Sequence, residues 1–234
     1  MRLNAFIAKT GFSSRRNATL LIKDGRVRVN GDVVIKPWLE IGENDALEID
    51  GKPVRLERER YIIFNKPIGV TSTVRDKFAS KKVVDYIPKS FGRVYPVGRL
   101  DKDSRGLLIL TNDGQLCYRA THPKYEIEKE YEVVLRGRVT NRDIEKFKRG
   151  VLDGDDILRV KTAKIRSVDE GSTTMSAVIC EGKKRHLRRL LENSGFPVSD
   201  LKRVRIGQIK LGALREGQFR LIDKASAYRL LGSI

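Results

Sequence analysis

The run Gly98-Arg99-Leu100-Asp101-Lys102-Asp103-Ser104-Arg105-Gly106-Leu107-Leu108-Ile109-Leu110-Thr111-Asn112-Asp113-Gly114 passes from a charged loop to an unbroken apolar block and then to a turn signal. Four apolar residues in succession, with no polar alternation, are the mark of a strand buried on both faces. Asn112-Asp113-Gly114 is a strong turn signal. The pattern therefore predicts strand, polar loop, buried strand and turn. Asp101 falls at the end of the first strand, between a glycine that lets backbone approach closely and the cations Arg99, Lys102 and Arg105. A carboxylate on a rigid strand end among cations is available as a base or nucleophile. Taken alone, the same Asp also reads as an ordinary turn residue.

Upstream, Tyr61-Ile62-Ile63-Phe64 is a second continuous apolar run. Strand-like segments are predicted at 93–97, 107–110, 130–135, 157–165, 173–179 and 219–222, with amphipathic helices at 141–149 and 186–193. Strands thus outnumber helices, and the class is α+β with a largely antiparallel, mixed sheet. The charged residues 55–60 read as a linker, dividing the chain into domains at 1–59 and 60–234. In the smaller domain Leu3, Phe6 and Ile7 recur at helical spacing, and Ser13 or Ser14 can cap a second helix carrying Ala18, Leu20, Leu21 and Ile22. Residues 26–29 alternate as a strand before Asn30-Gly31, a hairpin dipeptide, and 46–49 form another strand before Asp50-Gly51.

Charge narrows the partner. Lys and Arg number 48 against 30 Asp and Glu, a formal net charge of +18 in 234 residues. Such an excess draws in polyanions and points to nucleic acid. No basic amphipathic helix with aromatic anchors suggests a membrane. Without a leader-like or membrane-length apolar run, and with only Cys117 and Cys180, the expected location is a reducing cytoplasm. Two histidines, His122 and His186, leave little for a His-rich metal site or a His-based nucleophile system. Chemistry would rest on carboxylates, hydroxyls, Tyr, Lys and Arg.

Residues 2–8, Ser13-Ser14-Arg15-Arg16 and Gly25-Arg26-Val27-Arg28-Val29-Asn30-Gly31 resemble the S4 RNA-binding module. The resemblance implies two helices on a small sheet, with a basic face for structured RNA that includes Arg2, Lys9, Arg15, Arg16, Arg26 and Arg28. Gly98 to Gly114 resembles the central motif of the RsuA-type pseudouridine synthases, with Ser104 where Thr is frequent. Asn65-Lys66-Pro67-Ile68-Gly69-Val70, then His122-Pro123 with Glu128-Lys129 and Tyr131, and then residues 181–190 are similar to that family's other segments, in family order. The family resemblance implies a pseudouridine synthase domain following the S4-like one, with Asp101 as the catalytic carboxylate, Tyr131 as the residue that stacks on the target base and Arg188 as the cation paired with Asp101. Arg99 and Lys129 would support the site, and Lys183, Lys184, Arg185 and Arg189 would hold phosphates. His186 stands where Gln is usual.

The activity this resemblance implies is isomerisation of uridine to pseudouridine in ribosomal RNA, by a monomer acting on rRNA or a subunit assembly intermediate. The layout is nearest the RluB branch, which implies large-subunit RNA; small-subunit RNA is the alternative. The reaction has no net redox change and adds no group, so no cofactor or metal is expected. Two other readings fit part of the sequence. A non-catalytic RNA-binding or ribosome-assembly protein would use the charge but leave 98–114 idle. A glycosidic-bond hydrolase would need a second carboxylate, from Asp103 or Asp113.

Overall fold

The computed structural model describes residues 1–42 and 44–232; Glu43 and the last two residues of the expected second domain lie outside them. The chain divides into two compact units: residues 1–60 with 88–94, and residues 61–87 with 95–234.

In the first unit, α1 (Leu3–Lys9) and α2 (Arg15–Lys23) accompany a four-stranded antiparallel sheet of β1 (Val27–Val29), β2 (Asp32–Val33), β3 (Leu47–Ile49) and β4 (Lys52–Val54), in the order β2-β1-β3-β4. Of the two candidate caps it is Ser14 that starts α2, accepting from the Asn17 N–H at 3.2 Å. Asn30 and Gly31 both take positive φ, as a tight hairpin between β1 and β2 requires. Leu3, Phe6, Ile7, Ala18, Ile22, Val27, Leu47 and Ile49 close the core at the expected positions.

The second unit is built on a nine-stranded mixed sheet. Its elements in chain order are β5 (Tyr61–Lys66), β6 (Tyr95–Pro96), β7 (Arg105–Thr111), α3 (Gly114–Thr121), β8 (Lys129–Arg136), α4 (Asn141–Arg149), β9 (Val151–Asp153), β10 (Asp156–Leu158), β11 (Thr162–Asp169), β12 (Ser172–Ile179), α5 (His186–Glu192), β13 (Val198–Ile206), β14 (Ile209–Lys210), β15 (Phe219–Ile222) and α6 (Lys224–Leu230). Strand order is β11-β12-β8-β13-β7-β5-β15, with β6 beside β7 and β14 beside β13 and β9-β10 as a separate hairpin. Every pairing in the large sheet is antiparallel except one. At β13–β7 the strands run parallel, over Lys202↔Arg105 and Arg203↔Gly106. Two antiparallel halves are thus joined along a short parallel seam, and the charged loop 98–104 enters β7 at that seam.

Four sequence expectations need correction. β6 ends at Pro96, so Asp101 lies within loop 98–104 and not at a strand end. The strand expected across 157–165 is broken, because Val160 turns into the core between β10 and β11. The turn at 112–114 starts a helix: the Asp113 carboxylate accepts from the N–H groups of Gln115 (2.9 Å) and Leu116 (3.3 Å), capping α3. The close backbone approach belongs to Gly106. Gly98 serves a turn at φ +69, and a Cβ there would meet only a Thr121 methyl at 3.4 Å.

Candidate active site

A cleft of about 370 Å³ opens beside the seam. Asp101, Tyr131 and Arg203 line it together with Lys129, Leu201 and Ile179, and its mouth carries Arg99, Lys183, Lys184 and Arg185. Loop 98–104 supplies Asp101, β8 supplies Tyr131 and Lys129, and β13 supplies Arg203, so the lining residues converge from both halves of the sheet.

The Asp101 loop is braced on each side. Lys66, the last residue of β5, is fully buried and donates to the carbonyls of Ser104 (2.6 Å) and Pro67 (3.0 Å). Ser104 N–H donates in turn to the Asp101 carbonyl at 3.1 Å. Ser72 Oγ accepts from Leu100 N–H and donates to Leu100 O, at 3.1 and 2.8 Å. These bonds hold the backbone and leave the carboxylate alone: among the described residues no side chain or N–H binds it. Its charge acts instead on Lys66 and Arg185.

The other two carboxylates of the motif are occupied. Asp103 binds Arg185 at 2.9 Å and faces Arg188 Nε at 3.3 Å. Burial would raise its carboxyl, but the two guanidinium groups outweigh that and hold it below the ordinary range. Asp113 is buried under the hydroxyls of Tyr61 (2.9 Å) and Tyr228 (2.7 Å) besides its two helix N–H donors. Those four hydrogen bonds overcome the effect of burial and keep it low as well. A glycosidase pair with Asp101 therefore has no second free carboxylate in this motif.

Arg188 differs from expectation. It is buried behind the cleft, donating to the carbonyls of Asp103 (2.8 Å) and Val198 (3.3 Å), and its charge partner is Asp103, not Asp101. From α5 it reaches the far side of the loop, where the Asp103 carbonyl and carboxylate present themselves; Asp101 faces the cleft. The sequence assigns Arg203 no role; it only continues the family resemblance beyond residue 190. It is buried, donates from Nε to Leu107 O at 2.7 Å, and reaches the Tyr131 hydroxyl with Nη1 at 3.4 Å. Its guanidinium lies 6.0 Å from the Tyr131 ring centroid, and Nη2 is buried without a partner among the described residues. An Arg alternating in a strand carries no local mark of this role, since its burial comes from the parallel seam.

The candidate phosphate ligands separate into two groups. Arg99 and Lys184 are exposed at the cleft mouth with no carboxylate partner among the described residues. Lys183 and Arg189 are tied to the β9-β10 hairpin, Lys183 to Asp156 at 2.8 Å and Arg189 to Asp153 and Asp156. Their charge is spent there because the hairpin presents two carboxylates to α5, and Arg185 is likewise shared with Asp103. Arg185 also takes a left-handed backbone at φ 52, a strained state for a non-glycine residue that is typical of sites held for a purpose. In the first unit Arg2, Arg15, Arg16 and Arg28 are exposed and free of carboxylates among the described residues, whereas Arg26 is held bidentate by Asp50 (2.6–2.7 Å) and Lys9 lies 3.5 Å from Glu59. His186 packs its ring inside and places Nε2 3.0 Å from Arg159 O; burial lowers its pKa.

The fully buried Lys66 and the half-buried Lys129 give the unit a pH signature. Burial pushes Lys66 down to about 8, against the opposing charges of Asp103 and Asp101, and burial with repulsion from Arg203 pushes Lys129 to about 8. An unfolded lysine holds its proton to about pH 10.4. Between those values the unfolded chain binds more protons, so unfolding free energy rises with pH, by at most about 1.4 kcal/mol per unit for each group. Denaturant melts at pH 7.5, 9 and 10 should show the gain in wild type. In Lys66→Met the Lys66 share of the slope should vanish.

Comparison with known proteins fits this geometry. Residues 60–193 match the RNA pseudouridylate synthase family and residues 1–47 match the S4 domain. The chain belongs to the RNA pseudouridylate synthase family. A protein of Aquifex aeolicus named as an uncharacterized RNA pseudouridine synthase is 38% identical to the synthase over 100% of this chain and 95% of its own. The ribosomal large subunit pseudouridine synthase B of Bacillus subtilis is 37% identical over 98% of this chain and 95% of its own. A crystal structure of a pseudouridylate synthase superposes with a TM-score of 0.68 at 28% identity, covering 98% of the synthase and 99% of that chain. No helix among the described residues is long and apolar enough to cross a membrane.

Proposed function

We propose that the synthase isomerises a uridine of large-subunit ribosomal RNA, as a monomer in the cytoplasm, acting on rRNA or on a subunit being assembled, with the Asp101 carboxylate opening the reaction. The observation that carries this reading is the unpartnered carboxylate. In a motif where Asp103 and Asp113 are saturated, Asp101 alone makes no bond to its carboxylate among the described residues, at the wall of a cleft whose mouth is cationic. The similarity to the Bacillus subtilis large-subunit enzyme favours that RNA over the small-subunit alternative.

The target base must leave its stack to reach the cleft, at a cost of a few kcal/mol. Tyr131, 7% exposed and fixed by β8, offers a ring at the cleft wall, and stacking there returns about 1–3 kcal/mol. Arg203 holds the Tyr131 hydroxyl from behind, and Arg188 and Lys66 fix the loop that presents Asp101. With the base stacked and the ribose facing Asp101, the carboxylate drives cleavage of the N1–C1′ bond, the retained base rejoins C1′ through C5, and C5 gives up its proton while N1 takes one up, so the product is an isomer. Tyr131→Phe should keep most activity, because the ring remains. Tyr131→Ala should lower kcat/KM by about 10- to 100-fold.

Release of tritium from 5-labelled uridine in rRNA fragments tests the function directly. Label released from a large-subunit fragment, with the base still attached, supports it. No release from any rRNA would sink it, and free uracil as product would replace it with hydrolysis.

A further inference from the structure

An aromatic cluster outside the catalytic cleft is left without a use by this scheme. At the C-terminal end of α3, Ala120 and Thr121 line the cleft, and one turn earlier Tyr118 stands 47% exposed. The chain then folds back through a short turn in which His122 Nδ1 accepts from Lys124 N–H at 3.2 Å, and Glu126 closes the turn with a left-handed backbone at φ 47. This brings His122 to 4.7 Å from Tyr118, ring to ring, and Tyr125 to 5.8 Å edge-on, with Lys124 Nζ at 5.3 and 4.8 Å from the two tyrosine centroids.

The cluster does little for the fold. The apolar core beneath α3 is made by Leu116, Ala120 and Cys117, and neither Tyr118 nor Tyr125 belongs to it. Three rings and an ammonium held in a fixed array at the surface, beside a cleft that takes a flipped base, have the composition of a single-strand stacking platform. We propose that Tyr118, His122 and Tyr125 receive the base of a nucleotide flanking the target uridine, with Lys124 meeting its phosphate. Stacking of this kind tolerates any base, since every base offers a π face, so the platform orders the strand entering the cleft without reading its sequence. The inference rests on the proposed function for the identity of the RNA, but its test does not depend on turnover.

The probe is a synthetic rRNA stem-loop: the fragment that the wild type modifies or, if it modifies none, the one it binds most tightly. Single abasic sites are placed in turn at the nucleotides flanking the target uridine or, without turnover, through the loop. Kd is measured for wild type, Tyr118→Ala, Tyr118→Trp and Lys124→Gln, and KM and kcat are added where there is turnover. Tyr118→Ala should weaken binding of the intact RNA about tenfold, through KM and not kcat, with a thermal midpoint within about 2 °C of wild type. One abasic position should weaken wild type by a similar factor and leave Tyr118→Ala unaffected, and Tyr118→Trp should restore affinity. Additive losses at every position, no loss in Tyr118→Ala, or a loss seen only with assembled ribosomal particles and not with naked RNA would overturn the platform; the last would mark a protein contact. Absence of turnover in wild type would instead remove the proposed function and leave the platform to the binding cycle.

Discussion

Asp101→Asn is expected to reduce pseudouridine formation by about 10⁴-fold or more, with the fold and RNA affinity intact. The expectation comes from what the side chain lacks. Its carboxylate makes no hydrogen bond or ion pair among the described residues, so an amide of the same shape breaks nothing. Surface-like changes of this kind stay within about 0.5 kcal/mol, which for a chain of this size is within about 2 °C of thermal midpoint. The loss in rate is large because an amide is neither a useful nucleophile nor a base, and groups that act as a unit with it cannot substitute. Removing one negative charge from a cleft rimmed by Arg99, Lys184 and Arg185 also lowers repulsion of phosphate, so RNA binding should hold or tighten. Single-turnover tritium release paired with a filter-binding titration checks both halves. A variant retaining more than about 1% of the wild-type rate would move the chemistry to another group.

Gly106→Ala should produce the largest loss of stability of any single methyl added to the synthase. A Cβ at this position would lie 2.8 Å from Arg203 N and closer still to Arg203 O, both backbone atoms of the opposing strand. They cannot swing aside as a side-chain tip would, because Arg203↔Gly106 is one of only two register pairs in the seam. The backbone at φ +103 adds strain for any L residue. Overpacking and strain together imply a loss of about 4 kcal/mol or more, roughly 10 °C in thermal midpoint. Gly154→Ala is the matched control. It too has positive φ, at +59, but an added Cβ meets nothing within 4 Å, so it should cost only about 1 kcal/mol. Equal losses at the two positions would mean that the seam tolerates separation and that backbone strain alone matters.

How much of the fold and site is legible in the sequence depends on how local each cause is. The buried strands at 61–64 and 107–110 can be read because an uninterrupted apolar run has few other uses, whereas Asp101 is singled out only by the family resemblance, since its immediate neighbours suit an ordinary turn equally well. The helix α3 is hidden since Asn112-Asp113-Gly114 serves a turn and a helix cap equally well, and the tertiary partners of Asp113, Tyr61 and Tyr228, decide between them. The family resemblance pairs Arg188 with Asp101, where the fold gives it Asp103. Two carboxylates two positions apart are equivalent along the sequence, and only the path of the loop separates the one facing the cleft from the one facing α5. Arg203 and Lys66 are unreadable as buried charges because nothing in their neighbours foretells it. Both are enclosed by strands that arrive from distant parts of the chain.

That distance sets when the enzyme comes into being. β13 is the strand that joins the two halves of the sheet, yet it is synthesised after the other strands beside the cleft, and its bond from Arg203 to Leu107 spans 96 positions. Closing so long a loop is entropically costly before any contact repays it, which places assembly of the seam late and makes it slow. A growing chain can complete its small N-terminal unit, and with it the exposed arginines, long before the cleft exists. The small unit can therefore fold, with its arginines in place, before the strand that completes the cleft has been made.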